Sequence, residues 1–238
     1  MTVHIDRFRA GFPAGYTPIT NAGDAGEETG ISFGVLRLAA GESWQSDVTA
    51  ETAFLLMSGE VEMTAGNETR RMARASLFDE SPSCLHVAAG ARVRIAAIKA
   101  TELTVYATRN TKPFASRFYG PDDVPDEHRG KGQVGDACYR LVRTIFDRCN
   151  ADENAELVLG EVITMPGRWS SYPPHHHAQP EIYHYRFTRP EGFGHAELGD
   201  RVLKVKQFDT IRILAGLDHA QCAAPGYGMY YSWVIRHL

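Results

Sequence analysis

Histidines are concentrated in one internal segment of the chain. Residues Ser171–Tyr185 read SYPPHHHAQPEIYHY, which places three consecutive histidines, a glutamate and a further histidine within ten residues. Alternate side chains of an extended segment point to the same side, so His175 and His177 share one face and His176 faces away. Neutral imidazoles and carboxylates are common ligands of divalent metal ions. The segment therefore predicts a metal site.

Two further residues complete a four-ligand pattern. Glu181 follows His177 by four residues, and His219 comes after a later turn that reads LAGLDH. The order H-x-H-x(3)-E, followed by a distant histidine, matches the metal-binding pattern of the cupin superfamily, in which the four side chains converge inside one barrel. We expect one divalent metal ion per chain, with coordination positions left for substrate oxygens. The expected ligands are His175, His177, Glu181 and His219.

Three residues near this pattern are candidates for proton transfer. Tyr183 and Tyr185 share the face of Glu181 by strand parity, and their hydroxyls can hydrogen-bond a polar ligand or donate a proton. The carboxylate of Glu161 is a third candidate. His184 stands at odd spacing from Glu181 and is expected to face the opposite side. The alternative interpretation of the tyrosines is that aromatic residues simply favour strands.

Composition excludes several classes of function. The 238 residues are 43% hydrophobic and 23% charged, with a formal net charge of -4, so there is no concentrated basic surface for nucleic acid. The four cysteines are scattered and form no C-x-x-C pair, which indicates reduced thiols. No segment has the length and hydropathy of a membrane span or a signal peptide. We expect a cytoplasmic homo-oligomer without nucleic-acid or membrane partners.

The elements that must position these residues are β-strands. From Ile31 onward, short β-rich runs are interrupted by Gly, Asn or Asp, and no stretch repeats apolar residues at helical spacing. Two such halves flank a connector rich in Pro, Gly and charge, which suggests an internal duplication. The predicted fold is all-β, a bicupin of two jelly-roll barrels in tandem with few short helices. Residues 1–112 form the expected barrel without a metal site, 113–136 the linker, and 137–238 the metal-binding barrel.

The N-terminal half lacks the corresponding ligands. Where histidines are expected it reads GESWQSDVTAE, from Gly41 to Glu51, and its only later histidine is His86. A lone imidazole on an apolar strand is usually a core or surface residue with its hydrogen bonds satisfied. We therefore expect this half to be structural or to form oligomer contacts.

Four segments together resemble the 5-deoxy-glucuronate isomerase family of bacterial myo-inositol catabolism. They are RLAAGES (Arg37–Ser43), RGKG (Arg129–Gly132), EVITMPGRWSSYPPHHH (Glu161–His177) and HAQCAAPGYGMYYSWV (His219–Val234). The resemblance covers most of the chain in order, and the string W-S-S-Y-P-P-H-x-H is specific to that family. It implies a bicupin that converts 5-deoxy-D-glucuronate, an aldose, into the ketose 5-dehydro-2-deoxy-D-gluconate. It also implies a bound metal, usually zinc, on the same four ligands, while ligand chemistry leaves Mn, Fe and Ni open.

The chain departs from the family pattern around the expected pocket mouth. Only AQP separates the H-x-H pair from the glutamate, the turn before the last histidine differs, and the segment between Phe193 and Val202 looks shortened. These differences leave the exact sugar acid open.

A sugar-acid substrate carries a carboxylate that needs a cation, and arginine offers bidentate geometry for it. By parity, Arg186 points away from the face of Glu181 and needs a neighbouring subunit or a strand twist to take part. The expected substrate-binding residues are Arg168, Tyr172, Arg186, Arg129 and Lys131.

Two rival functions come from different classes. Three histidines and a glutamate also hold Fe(II) in cupin dioxygenases, which consume oxygen. A non-catalytic sugar-acid-binding bicupin has the same fold and shows no turnover.

Overall fold

The computed structural model describes residues 3–26 and 28–237 of the chain. Residues 1 and 238, the outer limits of the two expected barrels, lie outside the described residues. The described part contains nineteen β-strands and two three-residue 3-10 turns, at Pro121–Asp123 and Val134–Asp136. No helix in these ranges is long and apolar enough to cross a membrane. The predicted all-β class with few short helices is confirmed.

The strands are numbered in chain order. The first nine are β1 (His4–Ile5), β2 (Gly15–Thr20), β3 (Ile31–Leu38), β4 (Ser43–Asp47), β5 (Glu51–Ala65), β6 (Glu68–Arg74), β7 (Cys84–Val87), β8 (Arg92–Thr108) and β9 (Arg117–Tyr119). The other ten are β10 (Glu127–Arg129), β11 (Arg140–Phe146), β12 (Leu157–Thr164), β13 (Trp169–His175), β14 (Glu181–Phe187), β15 (Phe193–Leu198), β16 (Arg201–Lys206), β17 (Thr210–Ile213), β18 (His219–Ala223) and β19 (Met229–Arg236).

The N-terminal half forms one eight-stranded antiparallel sheet. Its main path runs β2-β3-β8-β5-β7-β9, while β4 joins β8 and β6 joins β5. The register between the long strands β5 and β8 shifts on both sides of Gly59, whose φ is +102°. Glycine adopts this conformation without strain, and such irregularities bend strands. The bend lets the sheet wrap around an apolar core that includes Leu36, Phe54 and Ile95.

Two sheets face each other in the C-terminal half. The larger has seven strands in the order β1-β17-β14-β19-β12-β11-β10, and the smaller has the order β13-β18-β15-β16. Buried apolar side chains fill the space between them, including Tyr185, Phe187, Ile211 and Met229. Strands of both sheets carry the predicted metal ligands, so closure of this barrel is what brings them together.

The seven-stranded sheet also packs against the N-terminal half. One buried cluster contains Phe33 and Leu55 from the first half together with Leu159, Ile163 and Val234 from the second. Both faces of β12 are therefore covered, and all eight of its residues are buried. Along β12, β14 and β19, side chains of one parity face the other half and those of the other parity face the barrel interior.

The connector contributes strands to both halves. The predicted linker, residues 113–136, contains two strands: β9 pairs with β7 in the first half, and β10 pairs with β11 in the second. At the N-terminus, β1 joins the C-terminal sheet through β17. The domain limits at residues 112 and 137 stay a prediction.

Candidate metal centre

Three imidazoles meet inside the C-terminal barrel. One ring nitrogen from each of His175, His177 and His219 lies within 4.8 Å of the others. His175 ends β13 and is the register partner of His219, the first residue of β18, so strand pairing places these two rings 4.5 Å apart. His177 follows β13, and its ring centroid lies 5.5 Å from that of His219.

Glu181, the first residue of β14, lies beside two of these histidines. Its Oε1 is 3.1 Å from Nε2 of His177, and its Oε2 is 3.5 Å from Nε2 of His219. Glu181 is 6% exposed and His219 is 1% exposed. The structure thus brings the four predicted ligands together, as a cluster of three histidines with a buried carboxylate against it.

Several buried polar atoms at this centre have no hydrogen-bond partner among the described residues. Oε2 of Glu181, Nε2 of His219 and Nδ1 of His177 make no hydrogen bond within the described residues. Buried polar atoms are otherwise almost always paired, so this concentration at one point needs an explanation. A divalent cation satisfies the orphaned lone pairs, and three imidazoles with one carboxylate suit such an ion.

Main-chain carbonyls fix the orientation of two of the rings. Nδ1 of His219 lies 3.1 Å from the carbonyl oxygen of Leu217, and Nδ1 of His175 lies 3.3 Å from that of Ser171. A ring that donates its Nδ1 proton to a carbonyl keeps a lone pair on Nε2. Both rings are therefore held in the tautomer that can bind a metal through Nε2.

The surroundings of the cluster shift the pKa values of two of its imidazoles in opposite directions. The hydrogen bond with Glu181 raises the pKa of His177, against the effect of burial. Burial lowers the pKa of His219, partly offset by its bond to the Leu217 carbonyl and by the charge of Glu181. His219 is therefore held neutral, which is the form that binds a metal.

The two other histidines of the segment lie away from the cluster. Nδ1 of His176 is 2.6 Å from Oδ1 of Asp218, and its side chain is 63% exposed. His184 is fully buried on the opposite face of β14, with its ring 5.0 Å from that of Phe33 and a hydrogen bond to Thr210. Both positions agree with the parity argument.

A cavity of about 250 Å³ opens beside the histidines. The ligands His175, His177 and Glu181 line it on one side. Aromatic, hydroxyl and guanidinium groups form the rest of its polar wall, namely Tyr183, Tyr231, Trp233, Ser171, Arg129 and Arg140. The cavity is thus close to the lower size limit of small-molecule sites, about 300 Å³.

The two predicted tyrosines lie at different depths. Tyr183 lines the cavity, and its ring stacks on Tyr231 at 4.6 Å. Tyr185 lies deeper, donates its hydroxyl to Oε1 of Gln221 at 2.7 Å and is not among the cavity-lining residues described. Burial raises the pKa of both phenols well above its usual value, so both keep their protons at neutral pH. Tyr183 is the one placed to meet a ligand.

Glu161 is not among the residues that line the cavity, and its role as a candidate base stays a prediction. Its fully buried carboxylate accepts hydrogen bonds from Arg74 at 2.6 Å, Arg143 at 3.0 Å and the Tyr230 hydroxyl at 2.9 Å. On β12, the side chains on the same face as Glu161 pack against the N-terminal half, whereas the neighbouring Val162 lines the cavity. The carboxylate is an internal ion-pair partner.

Of the five predicted substrate-binding residues, Arg129 is the one that the structure places on the cavity wall. Lys131 lies over the Tyr139 ring at 5.8 Å. The guanidinium of Arg186 is buried on the other face of β14, 2.6 Å from the Glu102 carboxylate.

Arg168 and Tyr172 also lie off the described cavity wall. The ring of Tyr172 is 5.5 Å from that of Trp169, and this tyrosine is 44% exposed. None of Arg168, Tyr172, Arg186 and Lys131 is among the described lining residues of this cavity, and their assignments to the substrate stay predictions.

Sequence reasoning missed several cavity residues. Side chains alternate along the last strand, and the sequence alone does not show which set faces inward. The structure turns Tyr231 and Trp233 toward the barrel interior and Tyr230 toward the other half. Pairing of Tyr183 with Trp233 across β14 and β19 would have identified that face. Arg140 belongs to no motif, and it lies on the same face of β11 as Val142, which also lines the cavity.

Comparison with known proteins gives a family match and similar folds. The model of the KduI/IolB family matches residues 7–238. A protein named 5-deoxy-glucuronate isomerase from Lacticaseibacillus casei is 28% identical over 216 residues, which is 83% of this chain and 78% of the relative.

Two solved structures extend the comparison to the fold. An IolB-like protein from Salmonella typhimurium LT2 has a TM-score of 0.84 at 25% identity, covering 94% of this chain and 90% of that chain. A cupin 2 conserved barrel domain protein from Leptotrichia buccalis has a TM-score of 0.60 at 13% identity, covering 98% and 95%. The predicted bicupin fold is confirmed.

Proposed function

Because the chain belongs to the KduI/IolB family, we propose that it is a metal-dependent aldose–ketose isomerase acting on a deoxyuronate. The chain is an enzyme of the isomerase class, like its relatives named 5-deoxy-glucuronate isomerase. The substrate we assign is 5-deoxy-D-glucuronate, with 5-dehydro-2-deoxy-D-gluconate as the product. The observation that carries the proposal is the meeting of three histidines and a glutamate, with unpaired buried atoms, at the wall of a cavity.

The residues that would hold the metal are the four that the sequence pattern selected. His175, His177 and His219 supply nitrogen ligands, and Glu181 supplies a negative charge that offsets part of the cost of burying a cation. Zinc is the ion we assign to this set. When bound, a divalent ion supplies Lewis-acid stabilisation for negative charge that develops on substrate oxygens.

Tyr183 is the group we assign to proton transfer. Isomerisation passes through an enediolate with negative charge on its oxygens, and a side chain that donates a proton to such an oxygen stabilises it. Burial, reinforced by the charge of Glu181, raises the pKa of Tyr183, so its phenol is protonated in the resting enzyme. Stacking on Tyr231 holds the ring in place, and the hydroxyl of Tyr183 can therefore donate to a substrate oxygen.

Deuterium exchange tests the reaction class directly. The zinc-loaded protein is incubated with 5-deoxy-D-glucuronate in deuterated water and followed by NMR. We expect the ketose signals to appear with deuterium incorporated at the carbon beside the carbonyl. If neither deuterium exchange nor ketose formation is seen with zinc, manganese, iron or nickel, the proposal is overturned. Oxygen consumption by an iron-loaded sample would indicate a dioxygenase instead.

A further inference from the structure

Two arginines stand opposite each other on neighbouring strands at the cavity. In the antiparallel pair of β10 and β11, Arg129 is the register partner of Arg140. Both residues line the cavity that is also lined by His175 and His177 of the histidine cluster. Like charges directly opposite each other destabilise a strand pair, so this arrangement is unfavourable unless a negative charge lies between them.

The protein supplies little of that negative charge. Within residues 3–26 and 28–237, Arg140 has no carboxylate at ion-pair distance, and its Nη1 donates to the carbonyl oxygen of Cys138 at 2.9 Å. Arg129 pairs with Glu127 at 2.7 Å, but with side chains 51% and 46% exposed this pair is weak. The carboxylate on the cavity wall, Glu181, lies against the histidines.

Arg140 and Tyr231 line the same cavity. Burial raises the pKa of the Tyr231 phenol to about 12, while hydrogen bonds to Ser170 and Ser171 and, to a smaller extent, the positive charge of Arg140 act in the opposite direction. Tyr231 itself stacks on Tyr183, the residue assigned to proton transfer. Arg140 therefore faces the same cavity as the predicted metal ligands His175, His177 and Glu181.

We propose that Arg140, with Arg129 across the strand pair, binds the carboxylate of the sugar-acid substrate. The inference rests on the proposed function, since it names how that site selects its substrate. A guanidinium matches a carboxylate in two parallel hydrogen bonds, and two guanidinium groups share its charge. The substrate then lies with its acidic end at the arginines and its reacting carbonyl toward the histidines, which selects uronates against neutral sugars.

Binding of a matched pair of probes tests this site. Calorimetry with the zinc-loaded protein compares D-glucuronate with D-glucose, which has the same ring but no carboxylate. We expect the unmodified protein to bind glucuronate more tightly, and Arg140→Gln to weaken glucuronate binding by about 10- to 100-fold without affecting glucose. Equal behaviour of the two probes with the unmodified protein overturns the proposal.

The matched control removes an arginine from the other half of the molecule. Arg94 is exposed on β8, so Arg94→Gln changes the net charge equally and should leave glucuronate binding as it is. Arg140→Gln should keep its zinc and shift the melting temperature by less than about 2 °C, as expected for a site without a carboxylate partner. A weakening of equal size in both variants overturns the carboxylate site.

Kinetics separate this proposal from the proposed function. With 5-deoxy-D-glucuronate, Arg140→Gln should raise KM by the same 10- to 100-fold and change kcat little. Unchanged glucuronate binding and KM in this variant overturn the carboxylate site while isomerase activity stands. If the unmodified protein shows no isomerisation, but Arg140→Gln still binds glucuronate more weakly and glucose equally well, the binding site stands and the proposed activity fails.

Discussion

His219 combines the properties that a buried metal ligand requires. It is 1% exposed, the Leu217 carbonyl holds its Nδ1, and its Nε2 makes no hydrogen bond among the described residues. His175 is exposed, and the side chain of His177 is 26% exposed. The cluster is therefore anchored in the barrel wall at one ligand and open toward the cavity at the other two. Such an open side is what a catalytic site needs for substrate.

Tyr183→Phe removes one hydroxyl at the cavity and keeps the ring that stacks on Tyr231. We expect the variant to fold, to retain its metal and to lose about 100-fold or more in kcat, because proton transfer by a positioned side chain contributes that much. Steady-state kinetics and metal analysis measure both properties.

Tyr185→Phe is the matched control for the Tyr183 variant. It removes a hydroxyl that donates to Gln221 below the cavity, so about 1 kcal/mol of stability should be lost and kcat should change little. Equal losses of kcat in both variants would show that Tyr183 has no special role.

The register between neighbouring strands places the aromatic residues that form one wall of the cavity. Trp233 on β19 is the register partner of Tyr183 on β14 and of Gly160 on β12. A Cβ atom built on Gly160 would lie 2.4 Å from Cζ2 of Trp233 and 2.8 Å from the carbonyl oxygen of Arg143. The indole can therefore lie against the sheet only because residue 160 has no side chain.

Gly160→Ala should move the indole of Trp233 and disturb the cavity. Overpacking of this kind costs about 1–3 kcal/mol, so we expect a lower free energy of unfolding together with a higher KM. Chemical denaturation and steady-state kinetics measure the two effects.

Gly120→Ala is the matched control for that substitution. Gly120 has an extended backbone with φ of -108°, and its nearest contact from an added Cβ is 3.7 Å, so stability should stay within about 0.5 kcal/mol. A Gly160→Ala protein as stable and active as this control would remove the packing argument.

Sequence parity predicted part of the site because parity is a local property. Within one extended segment it put His175 with His177 and Glu181 with Tyr183, and the structure keeps both pairs together. It gave no information on Glu161, whose face depends on β12 being covered on both sides by different partners. Parity also gave no information on Arg140, because the pairing that sets Arg129 opposite it joins two separate strands.

A buried ion-pair cluster links the two halves of the whole molecule. Glu161 from the C-terminal half accepts hydrogen bonds from Arg74 of the N-terminal half and from Arg143. None of the three is more than 2% exposed. Removing the carboxylate would leave two buried guanidinium groups without their shared counter-charge.

Glu161→Gln should therefore lower the free energy of unfolding by about 3–5 kcal/mol while the folded protein keeps its metal and its kcat. Denaturant titration and kinetics separate this structural role from catalysis. Glu68→Gln, which breaks a pair with Arg70 that is about half exposed on both sides, is the control and should change stability by less than about 1 kcal/mol. A fall in kcat at unchanged stability would instead support Glu161 as a catalytic base.

The overall architecture was predictable from the regular spacing of β-rich runs and turn residues in the sequence, whereas the contacts between the two halves were not. Short β-rich runs with polar interruptions define a β-barrel protein locally. The packing of the eight-stranded sheet on the seven-stranded sheet, and the return of β1 to the C-terminal sheet, depend on contacts between residues distant in sequence. The homo-oligomeric state and the cytoplasmic location stay predictions.

Metal content of two neighbouring histidine variants tests the central claim most directly. His177 faces the cluster, whereas His176, the adjacent residue, is exposed and paired with Asp218. After loading with zinc and removal of excess ion, elemental analysis should find about one zinc per chain in the unmodified protein and in His176→Ala, and almost none in His177→Ala. Equal zinc in both variants, or none in the unmodified protein, would contradict a metal centre at this site.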